Sequence, residues 1–160
     1  MREHKRARSW RREAPQKNWV IAIVLLMSAV GAGEVAAASS SVDQLSAQFT
    51  LCGDRRRTNC IVDGDTFWFR RNKIRLADID APELSPPRCA DERQRGEAAK
   101  RRLMALLNGG SFSLSIGARD EDRYGRKLRI VTREGRSLGE VLVDEGLARR
   151  WDGNRRPWCD

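Results

Sequence analysis

Four cysteines, Cys52, Cys60, Cys89 and Cys159, all lie beyond residue 50, and what they can do limits the fold first. None belongs to a C-x-x-C pair, which argues against zinc. An even number of cysteines in a small domain behind an export-type leader reads as two disulfides. Three connectivities are open. Cys52–Cys60 is preferred because it brackets the polar turn from Gly53 to Asn59, leaving Cys89–Cys159 to tie the C-terminal tail to a mid-chain loop. Each bridge is worth about 2–4 kcal/mol by restricting the unfolded chain.

The leader has three zones. Residues 1–18 carry Arg2, Lys5, Arg6, Arg8, Arg11, Arg12 and Lys17 against Glu3 and Glu13. An apolar run of 15 residues follows, Trp19 to Gly33, and then the small residues Ala36 to Ser39. Basic, apolar, small is the order of an export signal, and the run is shorter than the roughly 20 residues of a membrane span. The expectation is a signal cleaved near Ala38, with an uncleaved inner-membrane anchor as the alternative. The organisation is then 1–38 signal or anchor, 39–59 linker and first strand, and 60–160 folded domain. The location is periplasmic or secreted, and a membrane partner enters only if the leader is retained.

The chain of 160 residues has 31 basic and 22 acidic residues. Residues 1–38 hold 7 of the first and 3 of the second, so 24 and 19 remain, a net charge of +5. That surplus favours a polyanionic partner. The single histidine is His4, inside the leader. The folded part therefore lacks Ser-His-Asp and Cys-His catalysis, histidine-bound zinc and histidine general bases. Catalysis has to come from carboxylates, arginines, hydroxyls or a metal held by oxygen.

Short β-rich stretches run from Gln48 to Cys52, Cys60 to Val62, Thr66 to Arg70 and Lys73 to Ile79, with a two-residue turn expected at Arg71-Asn72. Pro86-Pro87 marks a loop. Asp91 with Gln94 has capping-box spacing for a helix reaching about Asn108, stopped by Gly109-Gly110. Phe112–Ile116 and Lys127–Thr132 alternate as strands. Ser137 with Glu140 opens a second helix to about Glu145, and Leu147–Trp151 is extended. Short strands around one helix suggest a small closed barrel, mostly β with helices (α+β), of which the five-stranded oligonucleotide-binding (OB) barrel is the best-known case.

A turn at Arg71-Asn72 sets Asp63 opposite Asp80 and Asp65 opposite Asp78, with Phe67 against Leu76 and Phe69 against Ile74. One face is then apolar at the turn and carries four carboxylates at the far end. Like charges directly opposite are unfavourable, and oxygen ligands at that density suit Ca²⁺ or Mg²⁺; a solvated acidic rim is the plainer reading. Glu83 follows on a stiff loop just past Pro82. Arg75 and Arg126 offer guanidiniums for phosphate. Strict alternation puts Arg75 on the face opposite Asp80, so a shared site requires a bulge or bend between them.

Val62-Asp63-Gly64-Asp65-Thr66, the string from Ile74 to Glu83, Asp122-Arg123-Tyr124-Gly125-Arg126, and Leu138 to Ala148 resemble the staphylococcal nuclease family in order and spacing. The resemblance covers about Cys60 to Trp151. It implies an OB barrel that hydrolyses DNA and RNA phosphodiesters with Ca²⁺ and little sequence specificity. Residue by residue, it implies Asp65 and Asp80 as carboxylate ligands of calcium and Ala81 as a carbonyl ligand where the family often has threonine. Asp63 would bond metal waters. Glu83 would be the general base or water-orienting group, Arg75 and Arg126 would hold the phosphate, and Tyr124 would line the nucleotide pocket. The family's late tyrosines have no clear match, and Trp151 stands nearby as a stacking group. Its last helix is missing, and a Cys89–Cys159 bridge would fasten the loop after Glu83 in its stead. The chain is expected to act as a monomer on DNA and/or RNA without a small-molecule cofactor. The alternative is a non-catalytic nucleic-acid-binding OB-fold protein of the cell envelope.

Overall fold

The computed structural model describes residues 43–54 and 56–159. The signal or anchor expected at 1–38 lies outside these residues. Among the described residues no helix is long and apolar enough to cross a membrane.

The chain is α+β and dominated by one sheet. Strands β1 (Thr50–Leu51), β2 (Cys60–Ile61), β3 (Thr66–Phe69) and β4 (Asn72–Leu76) lead to β5 (Ile79–Asp80) and helix α1 (Ala90–Asn108). Strands β6 (Ser113–Glu121), β7 (Lys127–Arg133) and β8 (Arg136–Ser137), helix α2 (Leu138–Asp144) and β9 (Arg149–Arg150) complete it. The main sheet runs β1-β2-β3-β4-β7-β6, with β8 on β7, while β5 and β9 pair separately. An antiparallel bridge between Leu45 and Phe112 joins the segment entering β1 to the residue entering β6, bringing the two ends of that path together. At the end of α1, the Asn108 amide imitates a strand: it accepts from Phe49 N–H at 2.8 Å and donates to Phe49 C=O at 3.0 Å. Within the stretch expected to be linker and first strand, residues from Leu45 onward thus join the folded body.

The β3–β4 hairpin corrects the expected register. Its turn is Arg70-Arg71, with φ of 49° and 68°, not Arg71-Asn72. Two successive left-handed residues are what a two-residue hairpin turn with the sheet's own twist demands. Phe67 therefore faces Ile74 and Thr66 faces Arg75. The partners move by two positions, so every side chain keeps its face. Phe67, Phe69, Ile74 and Leu76 still point into the core with Phe49, Phe112, Leu103 and Leu107.

Two further expectations change. The stretch expected as one strand from Lys73 to Ile79 is two, because the chain bends at Ala77-Asp78 and Ile79–Asp80 leaves the main sheet to pair with β9. Helix α1 is capped by Cys89, whose Sγ accepts from Glu92 N–H at 3.4 Å, rather than by Asp91. Ser137 caps α2 as expected, accepting from the Gly139 and Glu140 amides. The bonded cysteines are Cys52–Cys60 and Cys89–Cys159.

Candidate active site

The site begins at the Asp63-Gly64-Asp65 turn before β3. A Cβ on Gly64 would stand 2.6 Å from the Ala99 Cβ of α1 and 2.7 Å from the Ala81 Cβ. Only glycine lets the turn press between helix and strand. Asp65 is thereby buried, with Thr66 Oγ1 donating to its Oδ1 at 2.8 Å and Ala81 N–H to its Oδ2 at 3.3 Å. A second close approach lies one turn earlier on α1. At Gly96 a Cβ would meet the Leu84 side chain at 2.8 Å and the Pro82 carbonyl at 3.0 Å. This seats the loop that carries Glu83 directly on the helix.

Arg75 is the centre of the arrangement. It projects from β4 away from the hydrophobic core, yet is only 7% exposed. Its Nη1 pairs with Asp65 and its Nη2 with Asp80 Oδ1 at 3.1 Å. The bend at Ala77-Asp78 supplies the reversal that alternation required, turning Asp80 to the side of Arg75. The Arg75 guanidinium also stands 5.8 Å from the Trp151 ring.

Negative charge exceeds positive here. Burial, then the neighbouring Asp65 charge, pushes the Asp63 carboxyl up to about 8. The Asp80 carboxyl is raised by burial and by Asp65, against the lowering effect of Arg75. Three carboxylates around one buried guanidinium leave a deficit of cation and a surplus of hard oxygen donors. That donor chemistry fits a divalent cation such as Ca²⁺ or Mg²⁺. Among the described residues no three acidic, cysteine or histidine side chains already converge as a ligand cage, since Arg75 lies between Asp65 and Asp80.

The fourth carboxylate of the expected face goes elsewhere. Asp78 accepts from Ser137 Oγ at 2.5 Å and lies against Gly139, at the N-terminus of α2. It ties the bend to that helix, and burial raises its carboxyl against the lowering effect of the Ser137 hydroxyl.

Arg126 reaches the site through strand pairing. In the parallel β4–β7 ladder Lys127 lies beside Ile74 and Leu128 beside Arg75, and Asp122, Arg123, Tyr124 and Arg126 of the preceding turn line the same groove as Arg75. Asp122 organises this turn by accepting from the amides of Tyr124 (2.9 Å) and Arg126 (3.0 Å) and from Arg126 Nε (2.6 Å). Burial would raise the Asp122 carboxyl, but the bonds from the Arg126 amide, the Arg126 side chain and the Tyr124 amide outweigh it and hold it below the usual range. The Arg126 guanidinium lies 5.5 Å from the Tyr124 ring, which is largely exposed.

Arg75, Arg126, Tyr124 and Trp151 line one groove of about 810 Å³. Arg119, Arg123 and Arg155 line it too, and the sequence reading did not single them out. Glu83 is close enough for its charge to be felt at Asp63, and its Oε1 pairs with Arg155 at 2.7 Å. A further residue was missed. Glu92 is 1% exposed, and its carboxylate accepts from the amides of Glu83 (3.5 Å) and Arg88 (2.5 Å). One signal for it was available: an acid three residues after Cys89 in a first helical turn is placed to hold preceding backbone amides.

Residues 73–157 match the family model described as staphylococcal nuclease homologue. The chain belongs to that family, and its fold is the OB-type α+β fold of these nucleases. It is 36% identical over 93 residues to Endonuclease YncB of Bacillus subtilis (strain 168), covering 55% of this chain and 44% of the relative. It is 39% identical over 93 residues to the SPbeta prophage-derived endonuclease YokF of the same strain, covering 55% of this chain and 31% of the relative. Over 85 residues it is 33% identical to the "Probable staphylococcal-like nuclease CAN1" of Oryza sativa subsp. japonica, covering 53% and 23%. The matched region spans less than half the length of each of these relatives.

Proposed function

We propose that this chain is an exported, calcium-dependent nuclease that hydrolyses phosphodiester bonds of DNA and/or RNA with little sequence preference. The observation that carries the reading is the buried Asp65–Arg75–Asp80 arrangement opening beside a groove lined by arginines and exposed aromatic rings. Asp65 and Asp80 would hold the metal through their carboxylates and Ala81 through its carbonyl, and Asp63 would bond its waters. The chemistry a bound divalent cation supplies there is neutralisation of the phosphate's negative charge.

The chain's own groups do the rest. Arg75 and Arg126 hold the phosphate oxygens, whose charge rises as the nucleophile approaches phosphorus, and fixed guanidiniums stabilise that charge without reorganising. Glu83 orients the attacking water and takes its proton, a role that needs no histidine; as the new P–O bond forms the ester P–O bond breaks, and the departing oxygen takes a proton from solvent water. Tyr124 and Trp151 offer faces on which an unpaired base stacks. None of these contacts reads a base edge, so weak sequence preference and steep salt dependence follow.

Export is supported by the two disulfides, which persist in oxidising compartments. The periplasm or the exterior is the proposed location, and a monomer the proposed state. A binding-only OB protein gains nothing from burying Asp65 and Asp80 beside a polyanion site. The test is a pair of variants, Glu83→Gln and Arg126→Ala, assayed for hydrolysis and for retained folding. Loss of cleavage by about 10³-fold or more in both is expected. Unchanged turnover in both variants would reject the assigned roles.

A further inference from the structure

The C-terminal segment from Asp152 to Cys159 has no helix or strand of its own, yet it is fastened at several points. Cys159 is bonded to Cys89 at the start of α1. Trp158 is buried, with the Arg149 guanidinium 3.8 Å from its ring centre. Arg149 Nη1 also donates to Pro157 C=O at 2.9 Å. Within the segment itself Asp152 pairs with Arg156. A strap with these anchors presents a side chain between them in a defined place, and that side chain is Arg155. Its Nη1 meets Glu83 Oε1 at 2.7 Å while the residue also lines the arginine groove with Gly153 and Asn154. The charge of Arg155 also reaches Asp80.

Glu83 needs such a partner. Its charge stands near Asp63, and Asp65 and Asp80 lie beyond, with Arg75 as the buried cation among them. Repulsion alone would turn a carboxylate on this loop out to solvent. We infer that Arg155, delivered by the strap that the Cys89–Cys159 bond closes, is a positioning residue that holds the Glu83 carboxylate beside the groove. This rests on the nuclease reading above and adds a residue to it. Arg155 acts through Glu83 and so acts on turnover more than on substrate capture. Because Cys89 both caps α1 and anchors the strap, opening the disulfide loosens the strap that carries Arg155 and the loop after Glu83 from the same point.

The experiment measures kcat and KM for single-stranded DNA in the full chain with Ca²⁺, for wild type, Arg155→Ala, Arg155→Lys, the double variant Cys89→Ser/Cys159→Ser with and without Arg155→Ala, and Arg101→Ala as a charge control on the exposed face of α1. In Arg155→Ala, kcat is expected to fall by roughly 10–100-fold, the scale of a misplaced catalytic group, with KM within about threefold. Arg155→Lys should recover much of kcat, the cysteine double variant should lose part of it, and adding Arg155→Ala to that double variant should cost less than it does in the wild type. Arg101→Ala should match wild type. An inactive wild type would overturn the nuclease reading itself. An active wild type with kcat unchanged in Arg155→Ala, or with the loss confined to KM, would overturn the positioning role while leaving that reading intact.

Discussion

Arg75 and Asp80 lie five residues apart in what alternation would make opposite faces of a strand, yet Arg75 Nη2 and Asp80 Oδ1 are 3.1 Å apart. The bend at Ala77-Asp78 makes this possible, and Arg75 binds Asp65 at the same time. Removing the guanidinium leaves buried carboxylates without their cation. Arg75→Ala should destabilise the metal-free protein by about 3–5 kcal/mol, read from urea unfolding. Millimolar Ca²⁺ should restore part of that loss, since a cation binding the folded state stabilises it by mass action.

Asp63 gives a pH signature. Its carboxyl is pushed up to about 8, by burial first and by Asp65 second. A carboxyl raised on folding contributes stability that is fully present below its unfolded value, near pH 4. That contribution is lost as pH rises through the folded value. The metal-free protein should therefore lose stability between about pH 4 and pH 8, and Asp63→Asn should flatten that slope. Thermal melts in chelator across this range check it; an unchanged slope in Asp63→Asn would remove Asp63 as the cause.

Asp122 behaves in the opposite sense. Its carboxyl is held down, so the stability it contributes is present above the ordinary carboxylate range and is lost as pH falls through its lowered value. Near neutral pH the Tyr124–Arg126 turn depends on it. Asp122→Ala should leave the core intact while lowering kcat/KM by roughly 10-fold or more through misplacement of Arg126, measured on single-stranded DNA.

The hairpin turn allows a test of stability alone. Arg70 and Arg71 both sit at positive φ, which costs a non-glycine residue about 1–2 kcal/mol. Arg71→Gly should relieve about 1 kcal/mol and raise the melting temperature, with nuclease activity unaltered because the turn lies at the far end of β4 from Asp80.

These residues also show what could be read from the sequence. The alternation of Phe67, Phe69, Ile74 and Leu76 was legible because a two-residue slip conserves faces, and faces are what burial enforces. The turn was not, because Arg-Arg carries no glycine or asparagine to announce left-handed backbone. The bend before Asp80 was legible only as a requirement, since Ala77-Asp78 has no breaker and the partner that pulls Asp78 aside, Ser137, lies 59 residues away. The pairing of the cysteines followed from the short polar loop that Cys52 and Cys60 bracket. Arg155 and Glu92 escaped notice because charged residues in a tail and a first helical turn look like ordinary surface until the fold brings them to the loop around Glu83.

The most direct measurement is the rate of single-stranded DNA hydrolysis by the purified, disulfide-intact chain with millimolar Ca²⁺ and again with excess chelator. Cleavage is expected in calcium, and its loss, by several orders of magnitude, once the ion is withdrawn. Equal rates in both conditions, or no cleavage in either by a protein that is folded and binds DNA, would contradict that expectation.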